Sequence, residues 1–391
     1  MLLWTLTASM RQINACLEAL PFVRYDAEVS ASGQHSTSAQ RGTAPQQATV
    51  SQQSTVSSHR RPTIDDVARL AGVGRGTVSR VINGGRNVRP AVRDAVNEAI
   101  DTLGYSVNQS ARNLARGRTG SIAFVISERG DRLFEDPNLG LFARTFSRQL
   151  RGTGRHLLIT TAEDEEEGNS LGDYLAVGHV DGVLLGLTHD EEALLLRLQA
   201  SRLPFVVLGK PLGFEKALSW VAIDDEKAAF TVVSYLAGKV DGTIGTVTGP
   251  LQTSSGRERL DGCRRALGDR FHQDLVAAGD WSLQSGRDGA ETLLGRHPEL
   301  RGLFVASDLM AIGAIGALRA AGRRVPEDVA VVGFDDSAAA TMAEPALTTM
   351  RNPIEQTALE ALQILDDQSA GRIRQPVHVL VSSELIERGS A

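Results

Sequence analysis

The 391-residue sequence predicts an N-terminal all-α helix-turn-helix headpiece followed by an α/β body in which helices flank parallel sheets. The length exceeds that of one ordinary domain and indicates two or three. Three short amphipathic helical patterns lie within residues 60–105. From Ser121 onward, short apolar runs alternate with helical periods, which is typical of parallel sheets covered by helices on both faces.

Residues 1–59 are predicted to form a largely disordered tail, or to be translated from a start upstream of the real one. The part from 28 to 59 is mostly Ser, Thr, Gln, Ala and Gly, and this composition cannot bury enough surface to offset chain entropy. The apolar opening MLLWTLTASM has no preceding basic residue and is interrupted by Arg11, unlike a secretory signal. No apolar run reaches about 18 residues, so no membrane span is expected.

Charge is distributed unevenly along the chain. The total is −6, yet residues 60–118 hold eleven Arg and five acidic residues, a net of +6, which leaves −12 for the rest. This asymmetry indicates a small module for a polyanion joined to a larger acidic body. The chain has only two cysteines, Cys16 and Cys263, so a disulfide framework is excluded and a reducing cytoplasm is the expected compartment.

Three short helices are predicted in the headpiece. Thr63 precedes the first, with Asp66 three residues later as in a capping box. Gly72 and Gly74 make a tight turn, a second helix covers about 75–83, and Pro90 starts a third that ends near 103. The apolar residues expected to pack these helices together are Ile64, Val67, Ala68, Ala71, Val78, Val81, Ile82, Val92, Val96, Ile100 and Leu103.

The second helix combines arginines with short hydroxyl and amide side chains and has no carboxylate. Arg75 and Arg80 can reach guanine edges or phosphates, while Thr77, Ser79 and Asn83 can donate to phosphates. The absence of carboxylates removes repulsion from a DNA backbone. The alternative interpretation is an ordinary three-helix bundle with a solvated Arg face.

The stretch PTIDDVARLAGVGRGTVSRVINGGRNVRPAVRDAVNEAIDTLGYSVNQSARNLARGRTGSIAFV resembles the DNA-binding headpiece and first strand of the lactose-repressor family, and the resemblance covers about residues 61–391. It implies a homodimer whose second helices enter the major groove at the two halves of a near-palindromic operator. The family reads bases from the positions of Arg75, Gly76 and Arg80, but Gly76 has no side chain. Gly74 replaces the usual Ser cap, at a cost of a few tenths of a kcal/mol.

The resemblance also identifies residues 106–118 as a hinge helix that folds only on operator DNA. Leu114 matches the leucine that the family wedges into the minor groove, which bends the duplex. Val107 stands where many members have Pro, and the alternative is a plain linker with an incidental leucine. The expected DNA contacts are Thr63, Arg75, Gly76, Thr77, Ser79, Arg80, Asn83, Asn108 and Leu114.

In the body, polar residues follow several predicted strands, and ligands of parallel sheets collect at these carboxyl ends. The resemblance implies a two-lobed clamp like that of periplasmic sugar-binding proteins. Its lobes are expected at about 119–217 with 345–371 and at about 218–344 with 372–391. The strand-terminal polar residues are Ser127, Asp224, Asp280, Asp308 and Asp335.

The resemblance further implies an effector pocket between the lobes. Ser255 and Arg259 match positions that hold ligand hydroxyls, Trp281 matches an indole that stacks on a sugar ring, and Asp335 matches an acceptor for a hydroxyl pair. Ser307 stands where Asn is usual, and Gly186 and Gly209 replace polar contacts, so a smaller or differently oriented ligand is expected. The predicted set is Ser127, Asp224, Ser255, Arg259, Trp281, Ser307, Asp335 and Leu347.

Simpler interpretations apply to some of these residues. Asp308 is expected to cap the helix that follows it and to contact no ligand, and Trp281 has the alternative of being a core residue. The adjacent Asp335 and Asp336 have no His or Cys near them in sequence, so no metal and no cofactor are expected. The chain shows no G-x-S-x-G, Walker or G-x-G-x-x-G signature.

These patterns predict a non-enzymatic transcription regulator, expected to be a repressor, that is controlled by a sugar or sugar phosphate. A dimer is expected, because no leucine heptad follows the last predicted strand. The alternatives are a purine-responsive regulator of the same family, a solute-binding protein, and an enzyme that acts on sugars.

Overall fold

The computed structural model describes residues 62–82, 84–85, 88–105, 119–127, 132–186 and 192–391. The predicted tail and the predicted hinge lie outside these residues. The expected DNA contacts Asn83, Asn108 and Leu114 therefore remain sequence-based predictions.

The headpiece contains the three predicted helices, α1 (Ile64–Leu70), α2 (Arg75–Ile82) and α3 (Pro90–Leu103). The capping box before α1 is confirmed. The backbone N–H of Asp66 donates to Thr63 Oγ1 at 3.3 Å, and the backbone N–H of Thr63 donates to Asp66 Oδ2 at 2.9 Å. These two bonds satisfy amide groups that the first turn of a helix otherwise leaves without partners.

The headpiece has its own small apolar core. Val67, Val78 and Val96 are fully buried, one from each helix. Ala68 and Ala99 complete the buried set, and partly buried residues surround it. Because Val78 anchors α2 to the other two helices, the opposite side of α2 is left to solvent. The partly buried residues are Ile64, Ala71, Val73, Val81, Ile82, Ile100, Leu103 and Tyr105.

The body is built on two six-stranded sheets. The first has the order β11-β5-β4-β3-β1-β2, and all its strands are parallel. The second has the order β12-β10-β9-β8-β6-β7, in which only β12 is antiparallel. The strands are β1 (Ser121–Ile126), β2 (His156–Thr161), β3 (Gly182–Gly186), β4 (Phe205–Leu208), β5 (Trp220–Ile223), β6 (Thr243–Thr248), β7 (Val276–Ala278), β8 (Leu300–Val305), β9 (Ala330–Asp335), β10 (Thr348–Arg351), β11 (His378–Val381) and β12 (Glu384–Ile386).

Helices cover the faces of both sheets, as predicted. Phe124 on β1 lies under Phe142 and Phe146, with ring centroids 6.3 and 5.2 Å away. No helix among the described residues is long and apolar enough to cross a membrane. The body helices are α4 (Arg132–Glu135), α5 (Pro137–Leu150), α6 (Glu165–Tyr174), α7 (Glu192–Ser201), α8 (Asp225–Lys239), α9 (Ser254–Leu267), α10 (Leu283–Arg296), α11 (Asp308–Ala320), α12 (Ala338–Met342) and α13 (Ile354–Ser369), with a π-helix (Leu175–His179) and short 3-10 turns (Gly268–Arg270 and Gln273–Leu275).

Each sheet defines a lobe, and the lobe boundaries predicted from the sequence are wrong for three strands. β5 pairs with β4 and β11 in the first sheet, whereas β10 pairs with β9 in the second. Parallel strands are joined by long crossover connections, so strands that are neighbours in a sheet need not be neighbours in the sequence. The order of strands along the chain therefore does not reveal which sheet each strand joins. The chain therefore crosses between the lobes three times, at 223–225, 351–354 and 381–384.

Candidate functional site

The exposed side of α2 carries the predicted DNA contacts. Arg75 and Arg80 are exposed, and Thr77 and Ser79 are half-buried on either side of the buried Val78. The Nε group of Arg80 donates to the backbone oxygen of Gly76 at 3.3 Å. This bond holds the guanidinium group of Arg80 along the helix, and the side chain as a whole stays exposed.

Two glycines shape the start of α2. The backbone oxygen of Gly74 accepts the N–H groups of Thr77 at 2.8 Å and Val78 at 3.2 Å, which is the bonding of an N-cap residue without a side-chain cap. A Cβ atom built on Gly76 would meet no atom within 4 Å. Gly76 therefore leaves an open surface at one of the three base-reading positions that the resemblance implies.

Thr63 has a structural task in addition to its predicted DNA contact. Its hydroxyl donates to Asp66 Oδ2 at 2.7 Å while accepting the backbone N–H of Asp66. Since both bonds belong to the cap of α1, a DNA contact by Thr63 stays a prediction.

In the body, Arg259 on α9 is the centre of a buried charged cluster. Its side chain is only 7% exposed, and its Nε group donates to Asp225 Oδ1 at 2.7 Å. Its Nη1 group donates to the backbone oxygen of Ala306 at 2.6 Å and lies 3.6 Å from Asp335 Oδ1. The guanidinium group therefore joins the carboxyl ends of β5, β8 and β9.

Aromatic rings cover the same guanidinium group. Arg259 Cζ lies 3.6 Å from the ring centroid of Phe334 and 5.3 Å from that of Trp281. The indole of Trp281 lies against the backbone of Gly249, where an added Cβ would come within 2.0 Å of the ring. Trp281 is half-buried, so part of the ring remains open for stacking.

Burial and the neighbouring charges shift the pKa values of the cluster. Burial raises the pKa of Asp335 to about 8; Arg259 opposes this shift, whereas Asp308 adds to it. Burial also raises the pKa of Asp308 to about 6. For Arg259 burial acts against the charge, but the carboxylates, Asp225 first, outweigh it and raise its pKa. Such perturbed groups in a cleft are typical of ligand sites.

Residues of the first lobe reach this cluster from the opposite side. Asp136 raises the pKa of Asp335, and a hydrogen bond from Asn138, near the start of α5, lowers it. Lys210, which follows β4, places its Nζ atom 2.8 and 2.6 Å from the two carboxylate oxygens of Glu258 on α9. The cluster thus lies between the lobes, where the sequence predicts the effector pocket.

The adjacent Asp224 and Asp225 divide two tasks. Asp224 accepts the backbone N–H of Lys227 at 3.0 Å and so caps α8. Asp225, which the predicted set omits, makes the ion pair with Arg259. The sequence indicates a site residue here, because two acidic residues follow a buried strand. It does not show which of the two points towards Arg259.

The prediction that Asp308 caps its own helix is wrong. Ser307 is the N-cap of α11 and accepts the backbone N–H of Met310 at 3.3 Å. Asp308 Oδ1 accepts the hydroxyl of Thr349 at 2.5 Å, and Oδ2 accepts the backbone N–H of Ser337 at 2.7 Å. Asp308 therefore connects α11 to β10 and to the start of α12.

The remaining predicted effector residues occupy different surroundings. Ser255 is half-buried in the first turn of α9, 3.5 Å from Thr253 Oγ1. Ser127 is buried at the end of β1, where its N–H donates to the backbone oxygen of Gly186 at 3.3 Å. Leu347 is fully buried and belongs to the apolar core, so its predicted contact with ligand stays a prediction.

No group of three or more His, Cys, Asp or Glu side chains that could hold a metal ion occurs among the described residues. The site consists instead of one arginine, several carboxyl groups, hydroxyls and an indole. These groups suit a neutral ligand with many hydroxyl groups, since carboxylates accept and guanidinium donates hydrogen bonds.

Comparison with known proteins gives the family. Residues 63–108 match the model of bacterial regulatory proteins, lacI family, and residues 233–391 match a periplasmic binding protein-like domain. The regulator CelR of Thermobifida fusca is 42% identical over 335 residues, which cover 85% of this chain and 98% of CelR. The chain belongs to the LacI family. It is therefore a helix-turn-helix transcriptional regulator, and the predicted family and fold class are confirmed.

Other LacI-family proteins are similar over the same length. The ribose operon repressor of Escherichia coli K12 is 31% identical, over 84% of this chain and 99% of that protein. The solved complex of CelR with cellobiose is 40% identical with a TM-score of 0.67, covering 85% of this chain and 100% of that one. The lac repressor dimer bound to operator and the anti-inducer ONPF is 25% identical with a TM-score of 0.76, covering 85% and 99%.

Proposed function

We propose that this LacI-family regulator is a cytoplasmic homodimeric repressor whose operator affinity is controlled by a carbohydrate bound between its lobes. The cluster of Arg259, Asp225 and Asp335 beside Trp281 carries the proposal. It combines charged hydrogen-bonding groups with an aromatic face, which is the composition of a sugar site. Because a relative at 42% identity is the regulator CelR, solved with cellobiose, we propose a glucose disaccharide of that kind as the effector.

In this proposal each side chain has a defined task. Trp281 stacks on the C–H face of a sugar ring, Asp335 forms hydrogen bonds with a pair of hydroxyl groups, and Arg259 donates to a ring or hydroxyl oxygen. Asp225 holds Arg259 in place through the 2.7 Å bond. On the DNA side, Arg75 and Arg80 read base edges, and Thr77 and Ser79 contact phosphates.

Effector binding changes the angle between the lobes, and the three crossing segments transmit that change towards the residues before β1. A coupling free energy of roughly 1 to 3 kcal/mol changes operator affinity about fivefold to 150-fold. The experiment below decides whether the effector lowers operator affinity, as an inducer does, or raises it, as a corepressor does. The proposed regulator needs no cofactor and catalyses no reaction on the sugar.

The test combines a thermal-shift screen with operator binding on the full chain. Cellobiose, glucose, glucose 6-phosphate and guanine are compared, and cellobiose is expected to raise the melting temperature and to change the affinity for an inverted repeat. Asp335→Asn should abolish the cellobiose response, whereas Asp261→Asn, an exposed carboxylate on the same lobe, should keep it. A response to guanine alone would establish a purine-responsive regulator, and hydrolysis of cellobiose would establish an enzyme.

A further inference from the structure

A second cavity of about 330 Å³ lies in the first lobe, away from the cleft between the lobes. Its walls come from the end of α7, the segment before β5 and the segment before β11. The volume lies at the lower end of the range for small-molecule sites. Its apolar floor contains Leu198, Phe205 and Leu218, all buried.

Two arginines at this cavity lack counterions. Arg202 and Arg374 both line it and both are exposed. Neither has a hydrogen-bond or ion-pair partner within the part of the chain that the structure describes. Two guanidinium groups without counterions at one cavity suit an anionic ligand, because guanidinium pairs with phosphate oxygens through parallel hydrogen bonds.

A buried amide oxygen in the wall of the same cavity lacks a donor. Gln368 donates through Nε2 to Ser219 Oγ at 3.0 Å, and Ser219 Oγ also accepts the backbone N–H of Val377 at 3.1 Å. The other end of the amide, Gln368 Oε1, is buried and has no hydrogen-bond partner. An unsatisfied buried carbonyl oxygen is costly, and a small shift of the cavity wall would bring it to a ligand hydroxyl group that satisfies it.

The position of the cavity indicates what a ligand there affects. Ser219 precedes β5 and Pro204 precedes β4, so the cavity is at the amino ends of the parallel strands, opposite the cleft. β1 starts at the same edge, two strands from β4, roughly 10 Å away. There Asp181 accepts the backbone N–H groups of Thr119 and Gly120 at 2.6 and 2.8 Å. Thr119 and Gly120 directly follow the predicted hinge.

We propose that this cavity is a second ligand site that takes a small hydroxylated phosphate ester and adjusts operator affinity independently of the sugar cleft. The phosphate pairs with Arg202 and Arg374, and a hydroxyl group donates to Gln368 Oε1. The carbon skeleton lies on the apolar floor. A ligand bound at this edge of the sheet changes the packing around the start of β1, to which the segment from the headpiece is joined. It does not compete with the sugar, because the sugar binds in the cleft at the opposite edge.

The test measures binding of glycerol 3-phosphate, glucose 6-phosphate and inorganic phosphate to the full chain by calorimetry, followed by operator affinity at saturation. The phosphate esters should bind more tightly than inorganic phosphate, because only they supply a hydroxyl donor. The double variant Arg202→Gln with Arg374→Gln should weaken ester binding at least about tenfold. The matched control, Arg296→Gln with Arg301→Gln, removes two exposed arginines from the other lobe and should have no effect.

Two further variants separate this site from the cleft. Ala217→Trp fills the cavity and should abolish ester binding while leaving the cellobiose response intact. Asp335→Asn should remove the cellobiose response while ester binding persists. Ester binding that survives Ala217→Trp, that disappears in Asp335→Asn, or that is matched by inorganic phosphate would overturn the proposal. Absence of any ester binding to the unmodified chain would overturn it as well, without affecting the proposed sugar response.

Discussion

At the scale of single residues, the body contains a buried imbalance of charge. Asp225, Asp308 and Asp335 surround Arg259, and all four are buried. Three ionised carboxylates around one guanidinium group would repel one another in a medium of low polarity. Burial is the main cause of the raised pKa values of Asp308 and Asp335, and neighbouring carboxylates add to it, so that a proton stays on the cluster.

This proton makes stability depend on pH. The pKa of Asp335 is about 8 in the folded chain against an ordinary value of 3.8, so the folded state binds a proton that the unfolded state has lost. The contribution of this proton to the free energy of unfolding is complete below about pH 4 and is lost as the pH rises through 8. The melting temperature of Asp335→Asn should therefore fall less between pH 5 and pH 8.5 than that of the unmodified chain. Parallel curves for the two proteins would contradict the assignment.

Arg80 gives a second prediction at this scale. Its exposed guanidinium end is expected to read one base of each half-site, so Arg80→Ala should cost about 1 to 3 kcal/mol of operator affinity and relax the preference at that base. The measurement is fluorescence anisotropy with a set of single-base operator variants. Arg69→Ala, an exposed arginine of α1, is the control and should leave the base preference unchanged. Equal weakening on all sequences would make Arg80 a phosphate contact.

At the scale of elements, the headpiece is the part that the sequence predicts best. Each helix has a local signal: the Thr63–Asp66 cap, the glycines before α2, and Pro90 at the start of α3. Such signals act within a few residues and need no knowledge of the rest of the fold. The task of an acidic residue after a strand is different, because it depends on which neighbouring element packs above it. For this reason the sequence prediction omits Asp225 and gives Asp308 the wrong task.

Gly76 and Gly72 form a matched pair for testing α2. A Cβ at either position meets no atom within 4 Å, but only Gly72 has a positive φ, of 65°. Gly76→Ala should therefore stabilise the headpiece by about 1 kcal/mol through helix propensity. Gly72→Ala should destabilise it, because a side chain disfavours that backbone conformation. Both effects can be measured by amide hydrogen exchange of the peptides that cover residues 62–105. If protection from exchange changed in the same direction in both variants, this explanation would be excluded.

At the scale of the whole molecule, the sequence predicts parallel sheets correctly but not which sheet β5, β10 and β11 join. Alternating apolar runs identify strands, and nothing in such a run specifies the sheet. Trp220 illustrates this: its indole stacks on His378 of β11 at 5.0 Å, a partner more than 150 positions away along the chain. The cleft was predicted through the family resemblance, whereas the second cavity has no signal in the sequence, since three distant segments form it.

The ion pair between Lys210 and Glu258 connects the two lobes and should influence their closure. Both side chains are mostly buried, at 20% and 25% exposed. Lys210→Met should leave Glu258 without a partner, at a cost of about 1 to 2 kcal/mol, and shift the unliganded protein towards a more open form. Small-angle scattering and the affinity for cellobiose measure the shift.

The exchange variant Lys210→Glu with Glu258→Lys restores a pair of opposite charges and should restore the compact form. The same open form in the exchange variant as in the single variant would show that the pair does not hold the lobes together.

The threefold passage of the chain between the lobes restricts what kind of movement is available. A single connection would let the two lobes rotate about many axes, whereas the three connections at 223–225, 351–354 and 381–384 restrict the lobes to fewer relative movements. Substitutions in these short stretches can change how easily the lobes move without altering any surface that recognises sugar or DNA. Relatives with identical sugar-binding and DNA-binding residues can therefore differ in the effector concentration to which they respond. Natural selection can change this concentration through the connecting segments without changing which sugar or which DNA is recognised.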